Sequence, residues 1–256
     1  KDRQKDRRSG MRPDVSELIA FYQSRQGEYA RRLIQVELRQ LWHDLSGRAV
    51  LGVGFPGPFL GPFDEAERRV VFMPATQGVT RWPAPGRNAA ALGREDELPF
   101  ADGSFDCVLM AHALECCPHP NRLMREVWRV LVDGGRLMVI VPNRRGLWCW
   151  NERTPFGYGQ PFTLGQLERT LNNHLFTIEG ERAALVMPPI RSSHLRRITI
   201  PAERIGLRWL PQFAGTLIVE AQKQFYIGTA RAAVIRPSSR RYLPVLEPAT
   251  APAKLA

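Results

Sequence analysis

Cysteine is scarce in this chain: four in 256 residues, two of them adjacent (Cys116, Cys117), with no CxxC pair. That excludes a disulfide framework and makes a reduced, cytoplasmic protein the expectation. Long apolar runs are missing too. A run such as Leu137–Val141 stops after five residues, far short of the roughly 20 that a membrane-spanning helix needs. The first residues show no n-region, h-region and cleavage-site order, so no secretory signal is read there. Acidic side chains are outnumbered, 25 against 36 basic, for a net charge of +11. The excess sits at the ends: residues 1–10 carry a net +3 and residues 229–256 a net +4. The long middle is left with about +4, ordinary for its size, so charge does not point to nucleic acid. Hydrophobic residues make up 44%, enough for a sizeable core.

What is present is an alternation of short apolar runs and helical periods. Residues 14–45 place Ile19, Tyr22, Ala30, Leu33, Ile34, Leu38, Leu41 and Leu45 on one broad face, with Asp14 or Ser16 as N-cap and Gly47 as the stop. Strands are expected at 48–54, 69–73, 89–92, 106–111 and 136–141, each apolar enough to be covered on both faces. A helix opens at Pro120 or Asn121, and Thr163 caps another. Further strands are read at 176–181, 183–187 and within 216–225, with a helical segment around 191–210. Strands alternating with helices give an α/β, doubly wound, Rossmann-like sheet with an N-terminal helical extension. No internal repeat is visible. The expected division is a disordered leader (1–13), a helical cap (14–46), the main domain (47–228) and a disordered, basic, proline-rich tail (229–256). Within the main domain, residues 143–162 form a substrate or lid loop and residues 188–212 a cap insertion. A membrane-surface helix is the alternative for the latter, although Pro201 interrupts its pattern.

Two local patterns carry chemistry. Gly52-Val53-Gly54-Phe55-Pro56-Gly57 follows the first strand as G-x-G-x-x-G, a turn in which glycine lets backbone approach an adenosine-bearing ligand. A ligand-free Gly/Pro turn is the plain alternative, since short glycine patterns recur by chance. The second pattern is the run from Glu97 to Asn143. Leu98-Pro99-Phe100 and Asp102-Gly103-Ser104-Phe105-Asp106 deliver the chain into a strand, Leu114-Glu115-Cys116 follows it, and Arg129-Val130-Leu131 with Gly134-Gly135 opens the next.

This order of signals resembles class I S-adenosylmethionine (SAM) methyltransferases, in particular the type 11-like family. There the text runs close to LPF-x-D-x-SFD, then LEH, then E-x-x-RVL-x-PGG. The resemblance spans residues 48–225 and implies a seven-stranded methyltransferase sheet with SAM as cofactor. The residues it places at the cofactor are Gly52, Gly54 and Gly57 in the first turn, Gln77 after the second strand, Asp96, Glu97 and Leu98 beside the adenine, and Ala111 and His112 at the end of the fourth strand. The family usually has a carboxylate two residues before the glycine aligned with Gly54, and another ending the second strand. This chain has Gly52 at the first place and no acid in the window 72–77, where Gln77 or Thr76 stands in. The same gap weighs against a nicotinamide-dinucleotide dehydrogenase. The family's adenine-side Asp sits nearer position 94, held here by Arg94, and its LEH becomes Leu114-Glu115-Cys116.

His112 is the candidate general base, with a packing histidine as the alternative. His112, Cys116, Cys117 and His119 match no common metal-site spacing, so no metal is expected. The loop after the fifth strand offers Arg144, Arg145, Trp148, Arg153 and Tyr158 as substrate residues. Arginine suits an anionic group and the aromatics an apolar or planar one, although a structural lid or protein-docking loop fits the same residues. Two functions follow. One is SAM-dependent methyl transfer to a small or medium-sized substrate. The other is a methyltransferase-fold protein that has lost turnover and serves as a binding or assembly partner.

Overall fold

The computed structural model describes residues 12–188, 203 and 205–224. The tail at 229–256 and most of the 188–212 insertion lie outside the described residues. Seven strands build one sheet: β1 (Ala49–Gly54), β2 (Arg68–Pro74), β3 (Ala90–Gly93), β4 (Phe105–Ala111), β5 (Leu131–Pro142), β6 (Phe176–Ala184) and β7 (Thr216–Lys223). Their spatial order is β3-β2-β1-β4-β5-β7-β6. The pairings from β3 to β5 are parallel, and β7 runs antiparallel between β5 and β6. The order reverses direction between β1 and β4, so the carboxyl ends of those two strands flank the crevice where ligands of open α/β sheets bind.

Alternation along the strands sorts two apolar layers. Val50, Val71, Met73, Leu109, Met138 and Ile140 face one side, while Leu51, Phe72, Val108, Met110, Leu137 and Val139 face the other. The second side is covered by α4 (Pro120–Val130) and α5 (Leu164–Asn173) through Leu123, Val127, Leu167 and Leu171. A capping box starts α5, in which Gln166 N–H donates to Thr163 Oγ1 at 3.3 Å and Thr163 N–H to Gln166 Oε1 at 3.0 Å.

The first side is covered differently. The N-terminal period forms two helices, α1 (Val15–Gln23) and α2 (Arg25–Leu41), rather than one. Asp14 caps α1 by accepting from Ser16 N–H at 2.8 Å. Ser24 adopts an extended conformation between the helices, donates its hydroxyl to Phe21 O at 2.6 Å and accepts from Gly27 N–H at 3.1 Å. The corner is so tight that a Cβ at Gly27 would lie 1.9 Å from Phe21 O. Leu18, Ile34, Leu38 and Trp42 from this segment enter the first apolar layer.

The helix expected after β1 is short: α3 (Gly57–Leu60) has only four residues, because Pro62 lacks the N–H that would bond the Pro58 carbonyl, which accepts from Gln35 Nε2 at 2.6 Å instead. The segment between β2 and β3 holds no helix. The strands read separately at 176–181 and 183–187 are one element, β6, with an irregularity between Ile178 and Gly180. β5 begins at Leu131 instead of Arg136 and passes Gly134 at φ +70°.

Candidate functional site

The crevice at the switch point is bounded by the carboxyl ends of β1, β2 and β4 and by the loop after β3. Gly54 has φ +92°, and a Cβ there would stand 2.3 Å from Ala111 O. Glycine is required for β1 to turn this close to β4, and Phe55 N–H then donates to Ala111 O at 2.7 Å. Two residues earlier, a Cβ at Gly52 would meet Pro56 Cγ at 2.3 Å, so the proline ring folds back over the place where the family's carboxylate would project. Gly57 faces Trp82, whose Cδ1 would lie 3.1 Å from an added Cβ.

Gln77, after β2, is fully buried at 0% exposure. Its Nε2 donates to Gly54 O at 3.4 Å, and its Oε1 accepts from Arg12 Nη1 at 3.5 Å. Its backbone carbonyl accepts from Val15 N–H at 2.9 Å. Arg12 Nη2 also donates to Glu95 Oε2 at 2.5 Å, with the two side chains only 4% and 10% exposed. The carboxylate turned into the crevice is therefore Glu95, and neither acid chosen from the sequence stands there. Asp96 turns outward, held by Arg94 Nη2 at 2.9 Å and Arg122 Nη1 at 3.4 Å. The hydrogen bonds from Arg94 lower its pKa to about 2. Glu97 is exposed. Leu98 is buried, and its N–H donates to Glu126 Oε2 at 2.8 Å.

His112, immediately after β4, is 3% exposed and sits at φ +51°, a left-handed conformation uncommon for a non-glycine residue. Its Nε2 lies 2.6 Å from the Tyr22 hydroxyl, and its Nδ1 lies 3.3 Å from Glu115 Oε1. Burial, reinforced by Glu115, pushes the Tyr22 phenol well above its ordinary value. The neutral phenol and His112 Nε2 share one hydrogen bond, whose direction follows the tautomer of the ring. Both Glu115 carboxylate oxygens are buried without a hydrogen bond of good geometry. The three side chains form a buried Tyr–His–Glu row, in which His112 Nε2 is engaged by Tyr22. The Tyr22 ring also stacks on Phe55, centroids 6.0 Å apart and planes 20° apart.

The loop after β5 divides into a wall and a rim. Trp148 is buried, donates Nε1–H to Met187 O at 2.8 Å and packs edge-on against Phe156, which lies 5.3 Å from the His112 ring. Trp148 is accordingly a wall, not an exposed stacking surface. Tyr158 donates its hydroxyl to Glu17 Oε2 at 3.1 Å, tying the loop to α1. Arg144, Arg145 and Arg153 are exposed. Arg145 lines a cavity of about 860 Å³ at the carboxyl end of β5, together with Asn143, Thr163, Arg182, Arg208 and Gln212. Burial, then Glu95, pushes the Cys117 thiol up to about 12, and burial, then Glu115, raises that of Cys116. Among the described residues no group of three or more His, Cys, Asp and Glu is arranged to hold a metal, and no helix is long and apolar enough to cross a membrane.

Sequence reasoning missed Arg12, Tyr22, Glu95 and Glu115. Arg12 fell within the leader, and Tyr22 read as one apolar position among several on a helix face. Glu95 stood in an acidic triplet whose members no periodicity separates.

Residues 76–139 match a family described as a methyltransferase domain. Among curated proteins, the "Uncharacterized protein YafS" of Escherichia coli K12 is 55% identical over 42 residues, 16% of this chain and 18% of its own length. The ubiquinone/menaquinone biosynthesis C-methyltransferase UbiE of Pseudomonas aeruginosa is 44% identical over 45 residues, 18% of each chain. The chain thus spans less than a fifth of the length of either relative. A crystal structure described as a SAM-dependent methyltransferase from Thermotoga maritima superposes with a TM-score of 0.54 at 17% identity, covering 82% of this chain and 96% of that one.

A SAM molecule does not fit the crevice in this conformation. Gly54, Phe55, Gln77, Glu95, Leu98, Ala111 and His112 are all buried. The groups that bury or bond them include Arg12, Val15 and Tyr22 of this chain. The carboxylates expected at the methionine and ribose ends are replaced by Gly52 and Gln77.

Proposed function

We propose that this chain, which has the fold of the class I SAM-dependent methyltransferases and matches their type 11-like domain over residues 76–139, transfers a methyl group from SAM to a small or medium-sized anionic substrate. The observation that carries the reading is the conjunction at the switch point. The strand order turns there, Gly54 brings β1 within a backbone hydrogen bond of Ala111, and the family match begins one residue before Gln77. SAM supplies an already activated methyl group, so alignment and exclusion of water are what the protein must provide. The buried wall of Trp148 and Phe156 beside His112 is suited to exclude water. At the 860 Å³ cavity, which Glu37 and Glu181 also line, Arg182 pairs with Glu37 at 3.9 Å, and Arg145 and Arg208 support an anionic group on the substrate. Catalytic steps are not assigned, because the crevice is closed to the cofactor in this state.

A second reading, a methyltransferase-fold protein serving as a binding or assembly partner, is favoured by the ion pair that Arg12 makes inside the crevice. Calorimetric titration of the purified chain with SAM and with S-adenosylhomocysteine separates the two. Micromolar binding of either is the expected result. No heat of binding at millimolar ligand would overturn the enzyme reading and leave the second.

A further inference from the structure

We infer that residues 12–22 are an internal latch, seated in the cofactor crevice and competing with the cofactor for it; this rests on the methyltransferase reading above. Three contacts define the seat. Arg12 reaches between Gln77 and Glu95, donating to both. Val15 N–H bonds the Gln77 carbonyl, and Val15 Cγ1 would lie 3.1 Å from a Cβ on Gly78. Tyr22 stacks on Phe55 and hydrogen-bonds His112. Two of the side chains that the family resemblance assigns to the cofactor, Gln77 and His112, thus each have one polar atom, Oε1 and Nε2 respectively, committed to this one segment.

The fold supplies both the anchor and the hinge. Helix α2 is fixed: Ile34 and Leu38 are fully buried, Gln35 Nε2 donates to Pro58 O at 2.6 Å, and Arg39 pairs with Glu65 at 2.6 Å. Helix α1 holds the core with two buried residues, Leu18 and Tyr22, and the half-buried Val15, Ile19 and Phe21. The chain between them is extended at Ser24, and the two helices have separate caps. Helix α1 can therefore lift without unwinding α2. Lifting also breaks the Tyr158–Glu17 bond, so departure of the latch frees the loop after β5 at the same time. Cofactor entry and access to the substrate side are coupled through one helix.

A closed latch lowers apparent cofactor affinity by the fraction of molecules that are open. The test titrates S-adenosylhomocysteine into the full chain and into Arg12→Ala. At least tenfold tighter binding to the variant is expected. Equal affinity overturns the latch and leaves the methyltransferase reading standing. Weaker binding also overturns it, because Arg12 would then be holding the ligand. No binding to either chain at millimolar ligand removes the methyltransferase reading and the latch with it. Should Arg12→Ala fail to fold around an unpaired Glu95, Tyr22→Phe keeps the stacked ring and removes only the bond to His112, and a several-fold tightening is expected. Independently, saturating ligand should speed amide hydrogen exchange across residues 15–22 of the wild-type chain while α2 stays protected. Unchanged exchange in 15–22 with ligand bound overturns the latch.

Discussion

Between Gly54 and Gln77 the carboxyl edge of the sheet is covered by the chain's own N-terminal segment, which also reaches His112, whereas the rest of the stretch from Leu98 to Asn143 is covered by the turns and helices that follow each strand in order. The two regions share one sheet and one register pattern, yet only the second is built as its sequence resemblance implies. In the first, Gly61 and Pro62 end the helix after β1 at four residues, and β2 leads into a long loop. The apolar face there is completed by Phe59, Leu60 and Phe63 of the segment after β1 together with α1, while α2 packs on β6 and β7. Strand order is thus separable from the helices that cover it. The family match, over residues 76–139, begins where the substituted half ends.

If α2 is a true layer of the domain, its core residues should be worth as much as those of α4. Ile34→Ala and Leu123→Ala each remove a fully buried branched side chain, and each is expected to cost about 2–5 kcal/mol in denaturant unfolding. A loss below about 1 kcal/mol for Ile34→Ala, with a large loss for Leu123→Ala, would make the N-terminal helices an appendage and break the comparison.

The strands were legible because each is an apolar run and a sheet covered on both faces needs little more. The predicted helix start at Pro120 and the cap at Thr163 are where the structure has them. The break at Ser24 was not legible, since Leu18, Tyr22, Ile34 and Leu38 keep helical spacing across it; the signal was Gly27, which a tight corner requires. Pro62, which ends α3, was visible, but not that Phe59, Leu60 and Phe63 would complete the apolar layer around it. In the site, Gln77 could be placed from its distance after β2, whereas Arg12 and Glu95 meet only through tertiary structure, 83 residues apart. Asp96 and Glu95 are neighbours in an acidic triplet, and which of them turns inward depends on Arg94 and Arg122 drawing Asp96 outward.

The first turn offers a sharper contrast between glycines. Gly52→Ala would put a Cβ 2.3 Å from Pro56 Cγ, an overpacking expected to cost about 1–3 kcal/mol. Pro56→Gly in the same chain should recover part of that loss by removing the ring. Gly103→Ala, in the region that follows the family, has φ +59° and no atom nearer than 3.9 Å, so only backbone strain of about 1 kcal/mol is expected. Chemical denaturation of the three variants checks this order. If Gly52→Ala is neutral, Pro56 is not what denies the turn its carboxylate.

The smallest expected effect lies at Asp96, on the outer side of the same acidic triplet that turns Glu95 inward. Hydrogen bonds from Arg94 hold its pKa at about 2, against about 3.9 for an unperturbed aspartate. A depressed folded-state value means that Asp96 stabilises the fold above about pH 4 and loses that contribution as pH falls towards 2. Because the pair is at the surface, the contribution is small and falls further with added salt. Carboxyl NMR should therefore show Asp96 still ionised at pH 3, and Asp96→Asn should flatten the stability profile between pH 4 and 2. An Asp96 that titrates near 4 would mean that Arg94 does not hold it. The outward pull that separates Asp96 from Glu95, and with it this account of why Glu95 faces Arg12, would then fail.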